Sequence, residues 1–292
     1  MAQVDIDAPL VRQLISAQFP QWAGLPVEKV LPGGWDNRTF RLGADMLVRL
    51  PSAEGYAASV AKEQQWLPRL APHLPLPIPV PLAHGVPGEG FPFSWSVYRW
   101  LEGTDAAGAE ISDRTTFATD LASFLRALQG VDATGGPGPG AHNWYRGGPL
   151  AHYDAETRQA IDVLGDAVDG PAALDLWERA LSTRWQRPPR WFHSDVAVGN
   201  LLVRHGRLAG VLDFGTSGVG DPACDLVIAW TLFDGDSRAA FRDGLELDPD
   251  TWDRGRGWAL WKALIVRAAL VETNAAEGRH PDAVIRAVLA DG

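Results

Sequence analysis

Four residues between Trp191 and Asp225 have the types and spacing that suit transfer of a phosphoryl group. In WFHSDVAVGNLLVRHGRLAGVLDFGTSGVGDPACD, His193, Asp195 and Asn200 stand in the order H-x-D-x-x-x-x-N, and Asp213 opens D-F-G. Moving a phosphate onto a hydroxyl needs a carboxylate that faces the attacking oxygen and takes its proton. It also needs hard oxygen ligands for the Mg²⁺ that screens the phosphates. Asp195 is therefore the candidate catalytic base. Asn200 and Asp213, an amide and a carboxylate at the two ends of a short hairpin, are the candidate metal ligands. His193 is expected to hold the loop through hydrogen bonds to Asp213 or Asp225 rather than to do chemistry. A lone Asp here would read as an Asx-turn and a lone D-F-G as a turn at a strand end. The joint spacing favours the site.

Upstream, four residues could serve a nucleotide. Gly33 and Gly34 in PGGWDN would let backbone N–H groups approach phosphates. Arg49 ends the run MLVRL, where a cation could reach the phosphates, and Glu63 on the following helix could pair with it. Without the downstream loop that pair would be an ordinary surface salt bridge worth ~0–1 kcal/mol.

The elements that must position these groups can be traced in order. Asp7 caps a helix with the apolar stripe Leu10, Val11, Leu14 and Ile15. VEKVL, RTFRL and MLVRL read as strands of a small antiparallel sheet. A helix runs from about Glu54 to Leu70, with Pro68 expected to distort it or end it early. LPLPIPVPLAHG must be extended, and FPFSWSVYRWLEG reads as another strand ending at Gly103. Ser112 is expected to cap a helix carrying Phe117, Leu121, Phe124, Leu125 and Leu128. ATGGPGPGAHNWYRGGPL is a long loop, followed by helices near 154–167 and 171–184. Beyond the opening segment, Asp221 and Pro222 start a helix through ACDLVIAWTLF, with further helices near 236–246, 249–273 and 281–290.

Composition narrows the classes. The chain has 292 residues, of which 46% are apolar, so it can build a core and disorder is excluded. A formal net charge of −10 argues against a nucleic-acid partner. It mildly favours a cationic or neutral small molecule. The single cysteine, Cys224, forbids an internal disulfide, and no apolar run reaches the ~18–20 residues that cross a bilayer. The N-terminus lacks the pattern of a signal peptide, so a cytoplasmic location without a membrane partner is expected. Most of the thirteen tryptophans should be core, including Trp230, Trp252, Trp258 and Trp261. The acidic run from Asp234 to Asp253 reads as a solvated face.

Taken together, HSDVAVGNLLV, VLDFG and GVGDPACDLVIAW, with GGWDNRTFRL, LVRLP, KEQQWLPRL and VYRWLEG, resemble the aminoglycoside phosphotransferase family of the protein-kinase-like fold. Choline kinase and other small-molecule kinases are relatives. The resemblance spans roughly residues 28 to 275. It implies an α+β, two-lobed molecule: a nucleotide-binding lobe at 1–98, a hinge at 99–103 and a catalytic and substrate-binding lobe at 104–292. It implies Asp195 as base, Asn200 and Asp213 as magnesium ligands, and His193 and Asp225 as supports. Gly33, Gly34, Asn37, Arg49 and Glu63 would line the nucleotide, and the backbone of Arg99, Trp100 and Leu101 would meet the base. ATP or GTP and Mg²⁺ are the implied cofactors. The implied reaction moves the γ-phosphate to a hydroxyl of an aminoglycoside or related aminosugar. A metabolic kinase for an amino alcohol or sugar uses the same residues with another pocket. A catalytically silent nucleotide binder is disfavoured by intact Asp195, Asn200 and Asp213. One departure stands out: the family's usual loop is H-G-D-x-H-P-G-N, whereas Ser194, Ala197 and Val198 occupy the places of Gly, His and Pro.

Overall fold

The computed structural model describes residues 5–31, 33, 36–271 and 280–291. The chain packs into two compact units, Met1–Glu102 with Val211–Gly215, and Gly103–Gly210 with Thr216–Gly292.

The first unit starts with α1 (Ala8–Gln18), whose N-terminus is capped by the Asp7 carboxylate accepting from Leu10 N at 2.9 Å. Then come β1 (Val27–Lys29), β2 (Asn37–Leu42), β3 (Met46–Pro51), α2 (Glu54–Leu70), β4 (Pro81–Gly85) and β5 (Trp95–Arg99). The strands form one antiparallel sheet in the order β1-β2-β3-β5-β4. Alternation along the strands sorts its two faces. Phe40, Leu42, Val48, Leu50, Trp95 and Val97 face α1 and form a core with Val11, Leu14 and Ile15. The odd register turns Arg49, Ser96 and Tyr98 to the other face, towards α2, where Gln64 Nε2 donates to Ser96 Oγ at 2.8 Å. The proline-rich segment supplies the edge strand β4, where a missing N–H costs no ladder bond. Pro68 does not end α2 early. It sits in the last turn, and burial of Leu67 and Leu70 carries the helix on to Leu70.

In the second unit, β6 (Thr104–Asp105) leads to α3 (Arg114–Gly130). The cap of α3 is Asp113, not Ser112: its carboxylate accepts from Thr115 N at 2.9 Å. A carboxylate makes the stronger cap for the exposed N–H groups. α4 (Asp154–Leu164), α5 (Gly170–Ser182) and β7 (Arg190–Phe192) follow. β8 (Leu201–Arg204) and β9 (Arg207–Val211) join β6 in a small sheet, and β10 (Gly218–Gly220) pairs with β7. Asp221 and Pro222 do start a helical segment, but its first part, Pro222–Val227, is 3-10 and only α6 (Ile228–Thr231) is α-helical. α7 (Gly235–Leu245), α8 (Pro249–Arg267) and α9 (Pro281–Leu289) complete the unit. α8 is buried on almost every face, so it lacks a polar stripe. It stops at Arg267, six residues before the expected 273, as Ala269 turns left-handed at φ 52°.

Trp230, Trp252, Trp258 and Trp261 are all buried. Several acids of the run 234–253 are structural: Asp248 accepts from Thr251 N at 2.8 Å to cap α8, and Asp234 caps α7 with Ser237. Among the described residues no helix is long and apolar enough to cross a membrane.

Candidate active site

In the second unit, the loop after β7 is built around the buried Asp225 carboxylate. Its Oδ2 accepts from His193 N at 3.0 Å and its Oδ1 from Ser194 N at 2.6 Å. The fully buried His193 ring turns back within the loop, with Nδ1 accepting from Asp195 N at 3.2 Å. Asp195 is thereby set at the end of a fixed turn. The Asn200 side chain closes it, its Nδ2 donating to Asp195 Oδ2 at 2.8 Å and to the Asp195 carbonyl at 3.0 Å. With its amide nitrogen on Asp195, Asn200 has Oδ1 as the oxygen to offer a cation. Burial raises the Asp225 pKa to about 7, against the pull of the two backbone N–H groups and Arg146, while Asp195 adds to the rise.

Ser194 has φ 75°, the left-handed region that favours glycine. The glycine common at this position in the resembling family thus has a conformational reason. Ser194 carries a cost of roughly 1–2 kcal/mol for that backbone. Its hydroxyl offsets part of it by bonding the Thr216 hydroxyl at 2.5 Å.

The loop at 133–149 braces this turn. Arg146 donates from Nη1 to the Ser194 carbonyl at 3.4 Å, and its guanidinium lies 5.3 Å from the Trp261 ring and 5.5 Å from that of Trp258. Gly147, at φ 72°, lies so close to Phe192 that a Cβ would stand 2.0 Å from the ring. No side chain fits there.

In the first unit, Arg49 lies between two carboxylates, with Nη1 3.5 Å from Glu63 Oε1 and Nη2 3.3 Å from Asp213 Oδ1. Burial alone would lower its pKa, but Glu63 and then Asp213 outweigh burial and hold it above the ordinary value. Glu63 is itself buried and accepts a short hydrogen bond from the Tyr98 hydroxyl. Burial and Glu63 together keep Tyr98 protonated, far above its usual titration range. Lys62 donates from Nζ to the Gly215 carbonyl at 2.5 Å; burial pushes its pKa down to about 8, against the attraction of Glu63 and Asp213. Asp213 is in the left-handed region at φ 62°, with its side chain 37% exposed.

The expected pair Arg49–Glu63 is thus formed, joined by Asp213. Asn37 begins β2, opposite Pro51. Gly33 is exposed, while Gly34 lies outside the described residues. At the expected hinge, Arg99 and Trp100 still hold the sheet: Arg99 N donates to Val80 O at 3.3 Å and Trp100 N to Asp45 O at 2.7 Å. The sequence reading missed Lys62, Tyr98, Arg146 and Thr216. Lys62 had one signal, its place beside Glu63 in a chain with three lysines. Arg146 had none, since a Gly- and Pro-rich loop carries no periodicity.

Among the described residues no three His, Cys, Asp or Glu side chains gather as a self-sufficient metal site. Asn200 Oδ1 and, separately, the Asp213 carboxylate are hard oxygens of the kind Mg²⁺ takes.

Comparison with known proteins agrees with this chemistry. The model of the phosphotransferase enzyme family matches residues 27–258, most of the chain. The chain belongs to the phosphotransferase enzyme family. It is an enzyme that transfers a phosphoryl group to an alcohol group, and its fold is the two-lobed, protein-kinase-like α+β fold of its structural neighbours. An aminoglycoside 3'-phosphotransferase of Escherichia coli is 24% identical over 198 residues, covering 66% of this chain and 70% of that protein. The GDP and kanamycin complex of APH(2")-IIIa superposes with a TM-score of 0.69 at 19% identity, covering 96% of this chain and 97% of that one. Macrolide 2'-phosphotransferase MphH from Brachybacterium faecium gives a TM-score of 0.61 at 23% identity, covering 96% and 97%.

Proposed function

We propose that this phosphotransferase moves the γ-phosphate of ATP or GTP, with Mg²⁺, onto a hydroxyl of an aminoglycoside or related aminosugar. One observation carries the reading: a carboxylate, Asp195, oriented by Asn200 at 2.8 Å on a turn whose backbone is fixed by buried Asp225. Such a group can orient an incoming hydroxyl and accept its proton. As the acceptor oxygen bonds to phosphorus, the bond from phosphorus to the leaving nucleoside diphosphate breaks and the hydroxyl proton passes to Asp195. Arg49, held by Glu63 and Asp213, is the cation for the nucleotide phosphates. Asn200 Oδ1 and the Asp213 carboxylate are the oxygens that would each hold Mg²⁺, whose charge would neutralise that of the phosphates. The nucleotide base would meet the backbone of 99–101, at Trp100 through the carbonyl because its N–H is held by Asp45. Little covalent work falls to the protein, so positioning and charge neutralisation supply the rate.

The acceptor class rests on relatives: a 3'-phosphotransferase of aminoglycosides, a structural neighbour in complex with GDP and kanamycin, and the charge of −10, which suits a cationic substrate. Likeness to a macrolide 2'-phosphotransferase keeps macrolides in the test. The test is a nucleotide-consumption screen with ATP and with GTP against aminoglycosides, macrolides, aminosugars and amino alcohols. Acceptor-dependent turnover with an aminoglycoside is expected. Turnover confined to amino alcohols or macrolides would overturn the acceptor, and nucleotide binding without any turnover would overturn the roles given to Asp195, Asn200 and Asp213.

A further inference from the structure

Lys62 is a half-buried cation that the reaction described above does not use. It lies on α2 immediately before Glu63, and its Nζ reaches the Gly215 carbonyl at 2.5 Å. Gly215 is the last residue of D-F-G, and its own N–H donates to Asp213 Oδ1 at 3.4 Å. Asp213 holds a left-handed backbone at φ 62°, a conformation that costs a residue with a Cβ, Asp less than most, and that its contacts help to hold. That backbone decides where the carboxylate points. Two contacts from the sheet-and-helix unit over-determine the turn: Arg49 grips its first residue at 3.3 Å and Lys62 its last at 2.5 Å.

We propose that Lys62 is a positioning residue that fixes the 213–215 turn, and through it the metal-binding direction of Asp213. The inference rests on the reading of Asp213 as a magnesium ligand. Lys62 acts on backbone geometry, so its loss should weaken the metal more than the nucleotide. Groups that orient a metal ligand from behind typically cost about 10–100-fold in metal affinity when removed.

The test compares Lys62→Met, which keeps the stem and removes the donor, with Lys62→Arg, which keeps the charge. Mn²⁺ affinity in the presence of nucleotide is read by electron paramagnetic resonance, nucleotide affinity is measured without divalent metal, and amide hydrogen exchange is followed over 211–217. In Lys62→Met, Mn²⁺ affinity should fall about 10–100-fold. Metal-free nucleotide affinity should hold within about threefold, and exchange over 211–217 should quicken. Lys62→Arg should lose part of the metal affinity, because a planar fork does not reproduce a single bond from an ammonium. Equal losses of nucleotide affinity with and without metal, rescued by arginine, would make Lys62 a phosphate cation and overturn the proposal. A lower Tm with unchanged Mn²⁺ affinity would reduce it to packing and also overturn it. Should Lys62→Met fail to fold, Lys62→Gln takes its place. If the wild-type protein binds no nucleotide, the proposed function fails by itself, and unchanged exchange over 211–217 in the variant still refutes the clamp.

Discussion

At the scale of single residues, the turn that carries Asp195 trades backbone strain against side-chain contacts. Ser194 occupies a glycine conformation and holds it with one hydroxyl bond to Thr216. Ser194→Ala keeps the strain and removes the bond, so it should cost about 1 kcal/mol in urea unfolding. Ser194→Gly removes both and should fall within about 1 kcal/mol of the wild type. An alanine variant as stable as the parent would show that the hydroxyl bond contributes nothing. Arg49→Lys tests the neighbouring unit at the same scale. Lysine keeps the charge but cannot present separate donors to Glu63 and Asp213, so nucleotide affinity should drop about tenfold while the fold persists. Unchanged affinity would mean that the two-sided grip is not needed. At this scale the sequence was most legible where charged types recur at fixed spacing. His193, Asp195 and Asn200 meet in one loop, and Arg49 meets Glu63 and Asp213. Contacts to backbone atoms leave no mark on the residue that accepts them, so the place of Lys62 beside Glu63 could not say that it reaches the Gly215 carbonyl.

Among the elements, those with a strong hydrophobic period were readable. α1 with its Asp7 cap, the strands of the first sheet and the buried stripe of α3 all follow from side-chain pattern. Boundaries failed where two caps competed, as Ser112 and Asp113 did, and at the end of α8, whereas α2 kept its expected bounds with Pro68 inside it. The segment 133–149 read only as a loop. Its value is tertiary: Asn143, fully buried, bonds Gly140 N at 2.9 Å, and Arg146 reaches the Ser194 carbonyl. Another element-scale device joins three helices at Asp291. Its carboxylate accepts from Trp230 Nε1 at 3.2 Å on α6, Trp252 Nε1 at 3.1 Å on α8 and Arg238 Nη1 at 3.3 Å on α7. Asp291→Ala would leave those donors without the acceptor they share. It should destabilise the protein by ~1–3 kcal/mol and speed amide exchange in α6 and α7. Loss of stability below about 0.5 kcal/mol would mean that the three contacts are replaceable by water.

For the whole molecule, the pH dependence of stability has a definite sign at Asp225. Its ordinary pKa of 3.8 rises to about 7 in the folded protein, chiefly through burial. Between those values the folded state holds a proton that the unfolded state has released. The contribution of this group is therefore full below about pH 4 and is lost as pH rises through about 7. Its slope cannot exceed about 1.4 kcal/mol per pH unit. Asp225→Asn should flatten that part of the profile in denaturant titrations from pH 4 to 8; a variant with the parent's slope would assign the titration to another group. Reaction class was legible at this scale because the loop chemistry lies inside the span that the family match covers. The acceptor was not, since several acids of the run 234–253 serve as caps and ion pairs, as Asp234, Asp248 and Glu246 do.

The role of Asp195 is tested most directly by single-turnover transfer from γ-labelled nucleotide to the best acceptor, in wild type and in Asp195→Ala, with nucleotide affinity measured alongside. The account predicts a rate lower by ~10²–10⁴-fold with nucleotide affinity retained. Transfer at a near-parental rate in Asp195→Ala would contradict it.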